Sequence, residues 1–448
     1  MKIAFVSQPW NNLRPPVQSG SLAILTYQAA YRLANKVDVM VYAKGKELRS
    51  PPTYDQGVEY RWINIALDRR WHKLLKYFSK GRTEDSLVSS NLYHIGYILQ
   101  IALDLRKRNC DVVHLFNFAQ FAPVIKRFNP NIKVVLQMGC DWLTQFDPAV
   151  VDANLASVDL ILGCSDYITN RVKTAFPYVS GRTQTVYNAV DIGHFAQKLN
   201  LPDDIDDQED NQSEDDQAKK VTFVGRVSPE KGIHTLLAAF QKVMVRYPTA
   251  QLEIIGPTIQ APFGFIVGVS QDPKVIDLVR FYSSDYYTDM KKQAAEKLAD
   301  NVFFRGAIPH SKLIEKYQNS DVFVFPSVWE EPFGIPLIEA MATGTPVVAT
   351  NGGAFPEIVA KDKTGLLVER GNADELADAL IQLLADASLR RRMGEAGRVR
   401  AVAYFSYDTM TEQFFEAYQR LCKPAAGSGL QLQPSQSSDA DASERIVR

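Results

Sequence analysis

Residues 326 to 359 read PSVWEEPFGIPLIEAMATGTPVVATNGGAFPEIV and directly follow the apolar run VFVF. A buried strand therefore ends in a loop, Pro336 is placed in the first turn of a helix through LIEAMA, and TPVVATN returns as a second strand. Strand, helix, strand in that order predicts a parallel sheet. The amides of Gly334, Ile335 and Leu337 then gather at a helix N-terminus, where they and the helix dipole bind a phosphate without a cation. Glu339 falls one turn into the helix, where its carboxylate can accept hydrogen bonds from ribose hydroxyls. Glu331, on the preceding loop, is within reach of a group attached to the same phosphate and can orient a transferred sugar.

Upstream, GRVSPEKG at residues 225 to 232 follows the strand VTFV. Arg226 and Lys231 flank a tight turn from strand to helix and are placed to neutralise a pyrophosphate from the side opposite the helix amides. Charge developing on a leaving diphosphate would be stabilised there, and no metal is required by this design. Either cation alone reads as a surface charge, and one glutamate in a helix as a solvated one; it is their joint placement at strand ends that marks a site. Gly352-Gly353, after a strand and before PEIV, fits a loop against the sugar, with Glu357 capping or solvated.

The same alternation of strands and helices organises the rest of the chain. KIAFVSQ, SLAILTYQAAYRLA and KVDVMVYA open an N-terminal α/β domain expected over residues 1–200, with DVVHLFN, KVVLQMG and LILGCS as further strands. The second domain is expected over 218–402, with a helix at 403–422 packing back on the first and a disordered tail at 423–448. Between them, LPDDIDDQEDNQSEDDQ at 201–217 reads as a mobile acidic linker. Its Asp204 and Asp206 form a DxD, but a metal-ligand pair needs a rigid mount that such a segment lacks. An insertion at 257–290 is apolar and aromatic enough to pack, as a rim over the cleft.

At 448 residues the chain exceeds one ordinary core. A net charge of -1 gives no reason to expect a nucleic-acid partner. The N-terminal apolar run is too short for a signal-peptide core and no uninterrupted apolar span is long enough for a membrane helix, so a cytoplasmic location is expected. Cys110, Cys140, Cys164 and Cys422 lack zinc-knuckle or redox spacing and read as thiols in a reducing compartment. In LDRRWHKLLKYFSKGR, 67–82, apolar residues recur at helical spacing among Arg69, Arg70, Lys73, Lys76 and Lys80. That pattern suits either a helix packed on its own domain or an interfacial helix at the inner face of an anionic membrane.

At these motifs the chain resembles the retaining glycosyltransferases of family four, the glycosyl transferases group 1 type. Glu331 and Glu339 meet the family's E-x7-E signature, and Arg226 and Lys231 its basic pair. VYNAVDIGHF is similar to the family's Asn-Gly-Val-Asp segment through Asn188 and Asp191. The resemblance implies a GT-B fold, two Rossmann-like domains facing each other across a cleft. It also implies transfer of a hexose, with retention, from a nucleotide sugar such as UDP-glucose or GDP-mannose to a hydroxyl of a sugar, a lipid-linked acceptor or a small molecule, with no further cofactor. Under it Glu331 contacts the donor sugar, Glu339 the ribose, Arg226 and Lys231 the diphosphate, and Ile308 lies near the base. The leaving phosphate itself deprotonates the incoming hydroxyl.

The N-terminal half departs from the family. Ser19-Gly20-Ser21 stands where a Gly-Gly turn is usual, with Gly20 still permitting close backbone approach, and Gly139-Cys140-Asp141 stands where a histidine often lies. Asp141, His114 and Asn188 are the acceptor or sugar-contact candidates, although His114, at a strand end in VVHLFN, reads equally as a satisfied core or rim residue. The alternative is a non-catalytic sugar-nucleotide-binding or scaffolding protein, which the altered MGCDW loop supports. A nicotinamide dehydrogenase would need GxGxxG after the first strand, and KIAFVSQPWNNLRPPVQSGS lacks it.

Overall fold

The computed structural model describes residues 1–45, 50–78, 90–196 and 218–423. The acidic segment 201–217, residues 424–448 of the expected tail and residues 79–82 of the basic segment lie outside them.

Two sheets form, each with helices on its faces. The first runs β3-β4-β2-β1-β5-β6-β7-β8, from strands β1 (Lys2–Val6), β2 (Asp38–Gly45), β3 (Thr53–Asp55), β4 (Val58–Asn64), β5 (Val112–Phe116), β6 (Lys133–Met138), β7 (Leu160–Gly163) and β8 (Thr183–Thr185). The second runs β11-β10-β9-β12-β13-β14, from β9 (Lys220–Val224), β10 (Gln251–Ile255), β11 (Val302–Gly306), β12 (Val322–Phe325), β13 (Val347–Thr350) and β14 (Gly365–Val368). Every pairing is parallel except the short β3 against β4. Strands buried on both faces need continuous apolar runs, and KVTFV, VFVF and VVAT supply them.

Strand order reverses at β1 in the first sheet and at β9 in the second. In doubly wound sheets the crevice beyond the carboxyl ends of such strands receives ligands. The loops leaving β1, β5, β9 and β12 therefore face the functional cleft, and three of them carry residues singled out in the sequence: Gly20 after β1, Arg226 and Lys231 after β9, and Glu331 after β12. This is the GT-B arrangement.

Helices used below are α1 (Ser21–Ala34), α2 (Ala66–Phe78), α3 (Ile95–Leu105), α4 (Asp166–Ala175), α5 (Ile192–Phe195), α6 (Ile233–Arg246), α7 (Ile335–Thr343), α8 (Phe355–Ile358), α9 (Ala387–Tyr404) and α10 (Tyr407–Cys422). α10 leaves the second sheet and buries Met410, Phe414 and Tyr418 in the apolar cluster of α1 and the first sheet. Arg32 of α1 holds Asp408 at 2.9 Å, and Lys36 pairs with Glu412. The 257–290 insertion has a small core of its own, in which Ile266, Val275 and Leu278 pack with Val328. Its Phe265 ring lies 5.6 Å from Trp142 of the first half.

His114 is a correction to the sequence reading. It is fully buried in β5, its Nδ1 2.6 Å from the Tyr418 hydroxyl and its Nε2 2.9 Å from Gln137 Oε1. Burial drives its pKa down to about 3. His114 is a neutral core residue that ties α10 to the first sheet, not an acceptor contact. Its position in a strand flanked by apolar residues on both sides is what keeps it from the cleft.

Candidate active site

The loop after β9 is shaped by close backbone approach. A Cβ on Gly256 would stand 1.9 Å from the Gly225 carbonyl oxygen, and one on Gly232, which has φ +74°, 2.0 Å from the Pro326 oxygen. The β9 and β12 loops are thereby pressed together. Between them Glu230 is fully buried, accepting from Arg226 Nη2 at 2.8 Å and from Ser228, while its carbonyl accepts the Val328 amide at 2.9 Å. Lys231, one residue on, pairs with Glu331. Ser327 Oγ is 2.9 Å from Glu331 Oε1 and 3.0 Å from the Glu230 carbonyl oxygen. Six side chains from two loops, Arg226, Ser228, Glu230, Lys231, Ser327 and Glu331, are thus joined in one network through the Glu230 carbonyl.

Both cations are therefore engaged by carboxylates of the protein itself, partners that the sequence reading did not include. Arg226 retains a buried Nε without a hydrogen-bond partner. The Lys231 ammonium also lies 5.5 Å from the Phe325 ring centroid and 5.6 Å from that of Trp329. A diphosphate arriving here would compete with the carboxylates for cations already held in place, so little side-chain ordering remains to be done on binding.

α7 begins as expected, with Pro336 in its first turn and Gly334 as N-cap at φ +101°. A side chain at Gly334 would meet the Phe355 ring at 2.5 Å. The Leu337 amide is a second correction: it donates to the Gly334 carbonyl at 3.0 Å in a tightened first turn. Among the described residues the amides of Gly334 and Ile335 have no such acceptor, which leaves two donors at this end of the helix rather than three.

Glu339 is 3% exposed, and both its oxygens are held: Oε1 by His310 Nε2 at 2.6 Å, Oε2 by the Tyr317 hydroxyl at 2.7 Å. Burial pulls the His310 pKa down, but the hydrogen bond and charge of Glu339 outweigh it and leave the pKa raised. Each carboxylate oxygen keeps a second lone pair for an incoming hydroxyl. Ile308 is half-buried two residues before His310. His310, which the sequence reading passed over, has PHSK as its only signal, a histidine beside a proline in a loop.

Gly353 is also packed hard, since a Cβ there would stand 2.2 Å from the Glu331 carbonyl oxygen. Its amide donates to Glu330, whose other oxygen is 3.0 Å from Arg370 Nη2. Arg370 further donates to Asp272 at 2.6 Å and to the Val328 carbonyl at 3.0 Å. One guanidinium therefore braces the Glu331 loop, the glycine loop and the 257–290 insertion. LLVERG gives no sequence signal for that role.

The N-terminal candidates are arranged differently. Gly20 caps α1 with φ +82°. Asp141 is 6% exposed, with its carboxylate 2.6 Å from Arg171 Nε and 2.5 Å from Thr144 Oγ1, so it is committed within its own half. Asn188 is buried, and its Oδ1 has no hydrogen-bond partner. Burial pushes the Cys140 thiol well above its usual pKa, which suits a packed thiol and not a nucleophile.

The two halves meet next to the Glu331 loop. Ser165 Oγ donates to the Pro332 carbonyl at 2.7 Å, and Cys164 Sγ lies 3.3 Å from the same oxygen. Glu357 of α8 accepts the amides of Asp166 and Tyr167, at 2.6 and 2.9 Å, and so caps α4 from the other half. Burial raises the Glu357 pKa, and those amides act against it. Glu357→Ala should lower unfolding stability by about 1–2 kcal/mol and reduce turnover more than nucleotide affinity. Denaturant unfolding and steady-state kinetics of the variant measure both; unchanged values would remove the clasp.

Residues 204–400 match the family described as glycosyl transferases group 1. The chain is 26% identical over 77% of its length to the putative glycosyltransferase YtcC of Bacillus subtilis, covering 81% of that protein. Among solved structures it is similar to the sucrose-phosphate synthase of Thermosynechococcus elongatus, with a TM-score of 0.67, 22% identity, and 94% and 98% of the two chains covered. It is also similar to HepE of Anabaena, solved in complex with UDP and glucose, with a TM-score of 0.65, 18% identity, and 94% and 99% covered. These structural likenesses show the fold.

Proposed function

We propose that the chain, whose residues 204–400 match the glycosyl transferases group 1, moves a hexose from a nucleoside-diphosphate sugar to an acceptor hydroxyl, with retention and without a metal. The observation that carries the proposal is the Lys231–Glu331 contact, which sets a cation for the diphosphate against a carboxylate for the sugar. Arg226 and Lys231 hold the diphosphate from the β9 loop, and the Gly334 and Ile335 amides from α7. Glu339, fixed by His310 and Tyr317, takes the ribose hydroxyls, with Ile308 near the base.

Mechanistically, bond cleavage places negative charge on the leaving phosphate, where preorganised donors lower the barrier most. That phosphate takes the proton of the acceptor hydroxyl on the same face of the sugar. Glu331 positions the sugar and forms no covalent bond. UDP-glucose is the first donor to try, because HepE was solved with UDP and glucose. Acceptors are a sugar, a lipid-linked sugar or a small molecule, entering from the first half past Gly20 and Asn188.

A peripheral membrane contact through α2 belongs to the same reading. Leu67 and Trp71 are 67% and 39% exposed, next to exposed Arg69 and Arg70.

Incubation with UDP-glucose, GDP-mannose and UDP-N-acetylglucosamine, followed by proton NMR of the anomeric signals, tests the proposal. Hydrolysis or transfer of one donor with its anomeric configuration kept is expected. Binding of a donor without turnover, across a broad acceptor panel, would instead indicate a non-catalytic sugar-nucleotide-binding protein.

A further inference from the structure

We infer that Phe195, in the segment that leaves the first half for the second, is a positioning residue for the ribose carboxylate: its ring braces His310 and Tyr317, the two groups that aim Glu339. The inference rests on the donor-site reading above, in which Glu339 takes the ribose hydroxyls.

A glutamate side chain has many rotamers, so a carboxylate that reads a hydroxyl must be held, and the groups that hold it must be held in turn. Here the two holders differ in how firmly they are fixed. Tyr317, in the helix Leu313–Gln318, is fully buried, stands edge-on to the Phe323 ring of β12 at 5.4 Å, and has its carbonyl bonded by Thr345 Oγ1 at 2.7 Å. Burial first, then the charge of Glu339, keeps its hydroxyl protonated and so a donor. His310 is less enclosed: it opens a single turn after Pro309, and its side chain is 26% exposed. An imidazole in such a place needs a wall.

Phe195 supplies one. It is fully buried, its ring centroid 5.3 Å from that of His310 with the planes at 71°, and 6.0 Å from that of Tyr317 at 62°. Both are edge-to-face arrangements, which are favourable at centroid separations of about 4.5–7 Å. One ring therefore abuts both donors to Glu339.

The backbone that carries the ring is itself tied down. Asp191 Oδ1 accepts the His194 amide at 3.1 Å and sets the α5 turn. On one side of it the Val190 amide donates to the Phe405 carbonyl at 2.8 Å, where the chain returns toward the first half; on the other, Arg398 Nη2 of α9 donates to the Ala196 carbonyl at 2.7 Å. Removing the ring leaves a void beside His310 into which the imidazole can turn, while Tyr317 keeps Phe323 behind it. The loss then falls on Glu339 Oε1, and it is a loss of hydroxyl reading rather than of diphosphate binding.

Calorimetric titration of the full chain with UDP, 2′-deoxy-UDP and 3′-deoxy-UDP tests this. The parent protein should prefer UDP over the weaker of the two deoxy nucleotides by about tenfold or more, the worth of a hydrogen bond to a charged group. In Phe195→Leu that preference should fall to about threefold or less, with the affinity of the deoxy nucleotide changed by less than about twofold, because the substitution and the missing hydroxyl remove the same contact. Phe195→Met repeats the measurement should the leucine variant not fold by circular dichroism. A preference kept in the variants, or UDP and the deoxy nucleotides weakened alike, makes Phe195 a core residue only and overturns the inference. A parent protein that does not bind UDP, or that binds all three nucleotides equally, would instead overturn the ribose assignment of Glu339 on which the inference stands.

Discussion

Lys231→Ala should lower kcat/KM for sugar transfer by about 10²–10³-fold, the loss typical when one preorganised donor to a developing anion is removed. Two effects add. The leaving diphosphate loses a cation, and Glu331, 4% exposed, loses its counter-charge, its carboxylate keeping only Ser327 as a hydrogen-bond partner among the described residues. A buried carboxylate left unpaired either takes up a proton or draws in water, and either disturbs the sugar pocket. Steady-state kinetics with the donor established in the NMR assay measures the effect. Circular dichroism should show the fold intact, because the path of the β9 loop is set by Gly232 and the buried Glu230 and not by Lys231.

The second large effect is a division of labour between the two glutamates. Glu331→Gln should reduce kcat by about 10²-fold with nucleotide affinity nearly unchanged, since misplacing the reacting group costs on that order. Glu339→Gln should instead weaken UDP binding by about tenfold, as one charged hydrogen bond to the ribose is lost. Glu339 contacts His310 and Tyr317, whereas Glu331 contacts Lys231 and Ser327. These separate environments are why the parameters should separate. Equal, negligible effects on both would remove the assignment.

Much of this was legible in the sequence because the parallel sheets leave a strong record. Runs such as VFVF and VVAT announce strands buried on both faces, and Pro336 and Gly334 mark a helix start by rules that act over a few residues. Arg226, Lys231, Glu331 and Glu339 stood out because each follows a strand or opens a helix. The pairing of the cations was not legible. Glu230 looks like any surface glutamate in SPEKG, and only the approach of the β12 loop over Gly232 buries it. Arg370, His310 and the Glu357 clasp depend on contacts between segments far apart in sequence, which no local pattern records. His114 was ambiguous for a related reason: VVHLFN fits a strand end as well as a strand centre, and Tyr418, 304 residues away, decides it.

The most direct test of the donor-site account is a crystal structure of the protein with UDP. The account predicts the diphosphate within hydrogen-bonding distance of Lys231 Nζ and of the Gly334 and Ile335 amides, with the ribose against Glu339. A diphosphate seated away from Lys231 and the start of α7 would contradict it.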